Sequence, residues 1–404
     1  MKIGIIISLQ KENESMWING IKLNALNLSK MLNQIPGNDV YILDASDNVK
    51  DLTKVSWDYN KYKIEKFNKM KNELDLMFML GASLPNKVIL SLKKENKKIK
   101  IIKYQCGNSY VVDMEKCLFG DPETKSKASW DKFHDETWII PQQEYNNIEY
   151  YRTIYKQKGD LVKVVPFVWD PEPLDEWDKK LIKAGKPIPK YTPKKSSEKR
   201  ITVMEPNLNV VKFSAIPLMI AENIFSDLGK DAFKILNIGS GRRLIKNKYY
   251  QSMLSNLDIF KSNRGGKAEN DKIKFIPRYP VSMLLSEATD IVLSHQWENP
   301  LNYAYLDAMY YGYPLVHNAE MIKDAGYYYP DFNISEGANQ LEKALNEHDS
   351  NLKEYSKKNR SALNRYLSTN KKVVNTYKKL IDNVFNKDTH KMTYEYDWKT
   401  NLYK

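Results

Sequence analysis

Cysteine is nearly absent: Cys106 and Cys117 are the only two in 404 residues. Two thiols without metal-type spacing or cysteine–histidine company make neither a disulfide framework nor a zinc site, and a reducing cytoplasm suits them (the host cytoplasm if the chain is viral). Long apolar runs are missing too. Nothing approaches the ~20 residues that a membrane helix needs, so membrane insertion is not expected. The start, Met1–Leu9, lacks a small-residue cleavage site and runs straight into Lys11, Glu12 and Glu14, which argues against a secretory signal. His134, His295, His317, His348 and His390 show no zinc spacing. A Walker A loop and a Gly-x-Gly-x-x-Gly fingerprint are absent. Gly265-Gly266-Lys267-Ala268 has neither the spacing nor the hydroxyl, and Gly239-Ser240-Gly241 is a fragment that a tight turn explains. No cofactor and no obligatory metal are therefore expected.

Negative charge is in deficit, with 50 acidic residues against 63 basic ones and a net charge of +13. A surface of that sign attracts polyanions, nucleic acid first among them. Lysine far outnumbers arginine, and Lys, Asn, Ile and Tyr are all abundant, as coding from an AT-rich genome produces. Solvated lysine faces account for the charge as well as a DNA groove does.

What is present is an alternation of strands and helices. Apolar runs predict strands at Lys2–Ser8, Asp39–Ala45, Leu74–Leu80, Lys98–Gln105, Thr137–Pro141 and Val162–Trp169. Ile18, Ile21, Ala25, Leu28, Leu32 and Ile35 step by three and four, a helix that Gly37 should stop. From Pro166 to Pro193 six of the 17 prolines gather among lysines, which reads as a linker holding at most a short helix around Asp175–Ala184. The pattern then restarts, with strands at Arg200–Met204, Phe233–Ile238, Ile273–Ile276, Asp290–Ser294 and Pro314–His317. A helix spans about Ser214 to Leu228, with Ser214 as candidate cap and Gly229 as stop. Leu341–Phe385 looks helical throughout. Strands separated by helices imply βαβ units and mostly parallel sheets.

Asp290–Asn318 is the most informative stretch. It reads as a buried strand, a loop rich in His, Gln, Glu and Asn, a helix near Tyr303–Tyr311, the Gly312–Pro314 stop and a second buried strand. In a parallel sheet such a loop lies at the carboxyl ends of the strands, where ligands bind. The helix N-terminus there offers free N–H groups to a diphosphate.

Asp307-Ala308-Met309-Tyr310-Tyr311-Gly312-Tyr313-Pro314 resembles the donor-site signature of GT-B glycosyltransferases, where an acid opens such a segment. That family spaces two acids by seven residues; here Glu298 lies one residue too far and Asn299 holds the expected position. The chain more closely resembles an uncharacterised bacterial and phage family of GT-B glycosyltransferase-like proteins. The marks are Glu-Pro-Asn at Glu205–Asn207, Ser-His-Gln-Trp-Glu-Asn at Ser294–Asn299, Gly-Tyr-Pro-Leu-Val-His-Asn at Gly312–Asn318 and Gly-Tyr-Tyr-Tyr-Pro-Asp-Phe at Gly326–Phe332. With Trp17–Gly20 and Gly107–Tyr110 the likeness spans nearly the whole chain.

The resemblance implies an α/β GT-B architecture: two Rossmann-like domains facing a central cleft, with the last helix crossing back to the first. The expected boundaries are 1–170 for an acceptor domain, 171–198 for the linker, 199–370 for a donor domain and 371–404 for the last helix and tail. The implied activity is transfer of a hexosyl or pentosyl group from a nucleotide-sugar, UDP-linked, to a hydroxyl. Basic charge and the family's phage members point to double-stranded DNA carrying a 5-hydroxymethylated pyrimidine, such as hydroxymethylcytosine, in a role similar to phage DNA glycosyltransferases. A cell-surface or viral glycan is the enzymatic alternative, and a non-catalytic nucleic-acid-binding protein is the other. No two aspartates stand two apart, so the metal-binding Asp-x-Asp of many glycosyltransferases is missing.

On the donor side, Glu205-Pro206-Asn207 follows a strand and Lys212 precedes a helix, which puts both at the cleft edge; Lys212 could neutralise a diphosphate, or be one more solvated lysine. Arg242, Arg243 and Lys246 share that edge. Arg278 sits where the resemblance puts the nucleobase. His295 is a ligand contact or a satisfied structural histidine in equal measure, with Glu298 beside it. Trp297 reads as packing, and His317 as structural. Asn302 and Tyr303 offer backbone amides, and Asp307 could accept from sugar hydroxyls. On the acceptor side, Trp17, Asn19 and Gly20 open a helix, although a plain helix start competes. Asn108 and Tyr110 follow a strand. Asp113 is the candidate base for an inverting transfer and Glu115 the reserve, against the reading of solvated or capping carboxylates.

Overall fold

The computed structural model describes residues 1–404 apart from 13, 15–19, 56–61, 121–132, 158, 240–243, 264–270, 387–395 and 404. The chain divides into two compact units: Met1–Asp170 with Arg365–Lys404, and Pro171–Asn364.

Unit 1 opens with β1 (Lys2–Ile7), α1 (Gly20–Leu32), β2 (Asp39–Asp44), β3 (Lys63–Lys66), α2 (Phe67–Met70) and β4 (Leu76–Met79). It continues with α3 (Asn86–Glu95), β5 (Lys100–Gln105), α4 (Ser109–Phe119), β6 (Glu136–Ile139), α5 (Glu144–Ile154) and β7 (Val162–Val164). The seven strands are parallel in the order β3-β2-β1-β4-β5-β6-β7. Ile3, Ile5, Ile6, Leu76, Phe78 and Ile101 are fully buried, as expected of a parallel sheet covered on both faces. The strand β3 was not foreseen: Lys-Ile-Glu-Lys has no apolar run, and it forms because β2 leaves an open edge.

Unit 2 begins with α6 (Glu172–Lys183), β8 (Arg200–Val203), α7 (Ala215–Leu228), β9 (Ile235–Ile238), α8 (Lys248–Leu254), α9 (Asp258–Lys261) and β10 (Ile273–Phe275). Then come α10 (Val281–Ala288), β11 (Ile291–Leu293), α11 (Tyr303–Tyr310), β12 (Leu315–His317), β13 (Tyr327–Tyr328), α12 (Ile334–Asn346) and α13 (Leu352–Asn364). The six strands are parallel in the order β10-β9-β8-β11-β12-β13. Ile201, Val203, Leu218, Ile224, Ile291 and Leu341 meet in its core. The proline-rich stretch, read as a linker, contains α6. The Tyr310 hydroxyl donates to Asp175 at 2.7 Å and that of Tyr311 to Asp178 at 2.8 Å, which docks α6 on the end of α11.

The chain then returns to unit 1 as α14 (Lys371–Phe385) and the hairpin β14 (Tyr396–Asp397) and β15 (Leu402–Tyr403). The Tyr377 hydroxyl donates to the Pro166 carbonyl at 2.7 Å, and Asn401 brackets the backbone of Phe167 at 2.8 and 2.9 Å. The stretch expected to be helical throughout breaks at 347–351 and 365–370, where Asn370 caps a fresh helix. Gly229, at φ +80°, ends α7 as expected, but the Ser214 side chain does not cap it; the Ser214 N–H donates to Asn207 Oδ1 at 2.9 Å. Among the described residues no helix is long and apolar enough to cross a membrane.

Candidate functional site

Strand order reverses in unit 2 between β8 and β11, so the connections leaving these neighbours diverge and open a crevice at their carboxyl ends. Glu205 comes just after β8, and Ser294 and His295 directly after β11. Glu205 is buried at 1% exposure. Its Oε1 accepts from the Ser294 hydroxyl and from the His295 N–H at 3.2 Å. Ser294 spends its proton on Glu205, so it accepts in turn from the Tyr305 hydroxyl at 2.6 Å. The Tyr329 hydroxyl donates to the Ser294 carbonyl at 2.9 Å. It must then accept from His295 Nδ1 at 3.2 Å, which leaves His295 Nε2 as a buried lone pair without a partner. Glu205 Oε2 is buried and unpartnered as well.

A carboxylate removed from water and bonded through one oxygen favours its neutral form. Burial pushes Glu205 up to about 7, against the opposing pull of its hydrogen bonds and the Lys212 charge. Burial likewise pushes His295 down to about 4. Lys212 is held below the usual lysine range by burial, and the Arg278 charge adds to this while Glu205 opposes it. These groups form one electrostatic cluster at the ends of β8, β10 and β11.

Asn207 sits at φ +52° and donates to the carbonyls of Glu205 and Gly239, both at 3.0 Å. Its side chain is thereby committed to shaping the loop that carries Lys212. The Trp297 N–H donates to the Val211 carbonyl at 3.0 Å and ties that loop to the one after β11. Trp297 was expected to pack; the residue is 40% exposed instead. Glu298 is half-buried in the left-handed region at φ +51°, raised by burial, while Asn299 is buried and donates to Gln296. Asn302 caps α11 through Ala304 N–H at 3.3 Å, and Tyr303 and Asp307 are buried on that helix. His317 holds Ala325 O and Ala319 N–H, both at 3.0 Å, as a structural histidine does.

Unit 1 has its own reversal between β1 and β4. A cavity of about 130 Å³ lies there, lined by Ser8, Gln10, Glu14, Ile21, Lys22 and Gly81. Lys22 is buried and ion-paired with Glu14. Gly20 starts α1, exposed, and a Cβ there would meet no protein atom. At the end of β5, Asn108 is spent as the cap of α4, accepting from Val111 N–H at 3.1 Å and from Asn147 at 3.0 Å. Tyr110 packs edge-on against Tyr150 at 5.7 Å, and the Tyr150 hydroxyl donates to Asp113 at 2.6 Å. Tyr110 and Asp113 are thus brought together. Glu115 is not, because residues two apart on a helix face different sides.

Trp17, Asn19, Arg242 and Arg243 lie outside the described residues. Reasoning from sequence placed Glu205 at this edge but gave its side chain no role, and it missed Tyr305, Tyr329 and the Glu14–Lys22 pair. The Glu-Pro-Asn motif was the one signal pointing at Glu205. Among the described residues no three His, Cys, Asp or Glu side chains cluster to hold a metal ion.

Residues 3–381 match the DUF2827 family, described as a protein of unknown function. The chain belongs to that family. No curated protein sequence matches it. Solved structures match nearly end to end. An alpha-glucosyltransferase in complex with UDP is 12% identical, with 96% of this chain and 100% of that one covered at a TM-score of 0.57. The alpha,alpha-trehalose 6-phosphate synthase of Burkholderia multivorans is 10% identical, with 95% and 96% covered at 0.55. The catalytic domain of starch synthase IV from Arabidopsis thaliana, bound to ADP and acarbose, is 11% identical, with 95% and 99% covered at 0.53. The DUF2827 chain has the GT-B fold of these glycosyltransferases.

Proposed function

We propose that this protein is a glycosyltransferase whose unit 2 holds a nucleotide-sugar and whose unit 1 holds a hydroxyl acceptor. The observation that carries the reading is the unit 2 crevice. It joins a half-buried lysine, a second cation at Arg278 and the start of α11, and an anion such as a diphosphate is what that combination attracts. Lys212 and Arg278 take the diphosphate charge in the place of an obligatory divalent ion. Asp307 and the first amides of α11 orient the nucleotide-sugar. In unit 1, Asp113, held by Tyr150, takes the acceptor proton.

Two of the matched proteins were solved with UDP or ADP, which supports a nucleotide-diphosphate donor. The net charge of +13 favours a polyanionic acceptor, and we infer DNA bearing a hydroxymethylated pyrimidine. The test is incubation with a panel of labelled nucleotide-sugars and either hydroxymethylcytosine DNA, unmodified DNA or a surface glycan, with excess chelator present. Label entering only the hydroxymethylated DNA is the expected result. Label in the glycan alone moves the acceptor to that class. Donor binding without turnover on any acceptor leaves a binding protein.

A further inference from the structure

We propose that Glu205 is a proton-linked positioning residue, taking up a proton when a nucleotide diphosphate occupies Lys212. The inference rests on the reading of unit 2 as the donor half and adds a regulation of that site.

The geometry leaves Glu205 little choice. Among the described residues, the groups that face it are Lys212 on its own loop, Ser294 and His295 after β11, Tyr305 on α11 and Tyr329 after β13. Lys212 is the cation among them; the tyrosines resist ionisation through burial, and the His295 ring is neutral near pH 7. A diphosphate drawn to Lys212 cancels the charge that favours ionised Glu205 and adds repulsion of its own. The carboxyl group responds by binding a proton on Oε2, the oxygen that no donor among the described residues satisfies. Oε1 keeps accepting from Ser294 and the His295 N–H, so the two loops stay joined in both protonation states. Burial already holds the group at about 7, where a small push moves a large fraction of its protons.

Binding coupled to proton uptake weakens as pH rises. The experiment is calorimetry with UDP, and with ADP and GDP in parallel, at pH 7.5 in two buffers of different ionisation heat. It is run on the wild type and on Glu205→Gln, whose amide oxygen can still accept both hydrogen bonds. The wild type should take up roughly half a proton more than the variant. Its affinity should also fall about fivefold more between pH 6.5 and 8.5. Infrared difference spectra of the wild type alone should gain a carboxylic-acid C=O band on addition of UDP, a readout independent of whether the variant folds. Equal proton uptake and equal pH slopes in both proteins, or no such band, overturn the proposal and leave the donor reading standing. No binding of any of the three nucleotides overturns both.

Discussion

The two units wind their sheets in the same order around the same kind of crevice, yet line it differently. Unit 1 sets Lys22 directly against Glu14, with side-chain exposures of 5% and 17%, so buried charge is cancelled by contact. Unit 2 gives Glu205 one hydroxyl and one N–H as hydrogen-bond donors and leaves Lys212 without a direct ion pair to it. Topology dictates where a crevice opens, at the strand pair whose connections diverge. The side chains that converge there decide whether it holds a neutral ion pair or a group free to change its charge.

The largest difference between the units should appear on acidification. His295, His317 and His348 all belong to unit 2, and burial pushes each down to about 4. Their stabilisation is complete above about pH 6.5 and is lost as pH falls towards 4. Glu205 works in the opposite sense: its contribution is full below about pH 4.5 and disappears as pH rises through about 7. Glu298 and Asp178, which burial also raises, side with Glu205, but the three large histidine shifts outweigh them, so unit 2 should lose a few kcal/mol, in order of magnitude, between pH 6.5 and 4. Hydrogen exchange at pH 7 and pH 4.5 should find unit 2 amides opening first. Unit 1 opening first would break the contrast.

A pair of glycines sharpens it. Gly326 has φ +64°, and a Cβ there would stand 2.6 Å from His317 Nε2 and 2.9 Å from the Leu315 carbonyl. Gly326→Ala should cost about 3 kcal/mol or more. In unit 1 a Cβ on Gly4 would meet the ends of Leu43 and Leu74, which can turn aside, so Gly4→Ala should cost about 1–2 kcal/mol. Chemical unfolding of both variants measures the difference, and equal costs would contradict the argument.

The two crevice lysines test the contrast directly. Lys212→Met should weaken UDP binding by about 2–3 kcal/mol, whereas Lys22→Met, in the unit 1 crevice, should leave UDP affinity alone. Titration of both variants decides it, and parallel losses of UDP affinity would erase the division of labour. Asp307→Ala should cost roughly 1.5–3 kcal/mol of donor affinity, at most that of Lys212, if its carboxylate accepts from donor hydroxyls. Unchanged calorimetric affinity would remove Asp307 from the site.

The alternation of β1, α1, β2 and of β8, α7, β9 was legible because an apolar run or a three-and-four step is a local pattern. Gly229 and Gly312 marked helix ends for the same reason: a positive φ, +80° and +77°, suits glycine wherever it falls. The proposed edge of the donor site was legible as well, since Glu205–Asn207, Ser294–Asn299 and α11 all follow strands. Two other features escaped. Lys63–Lys66 carries no signal of its own and became a strand through the open edge of β2. Asn108 and Asn207 looked available for ligands, but only packing revealed that a helix cap and a loop had claimed their side chains.

By itself the sequence determined the βα rhythm, the two crevice edges and the excess of positive charge, all properties of neighbours along the chain. Tertiary structure decided that Glu205 meets Ser294, 89 residues away, and that α14 rejoins unit 1 through Tyr377 and Pro166, 211 residues apart. A buried carboxylate takes its character from what solvates it in place of water. Those partners come from distant stretches, and no local pattern encodes which of them will arrive.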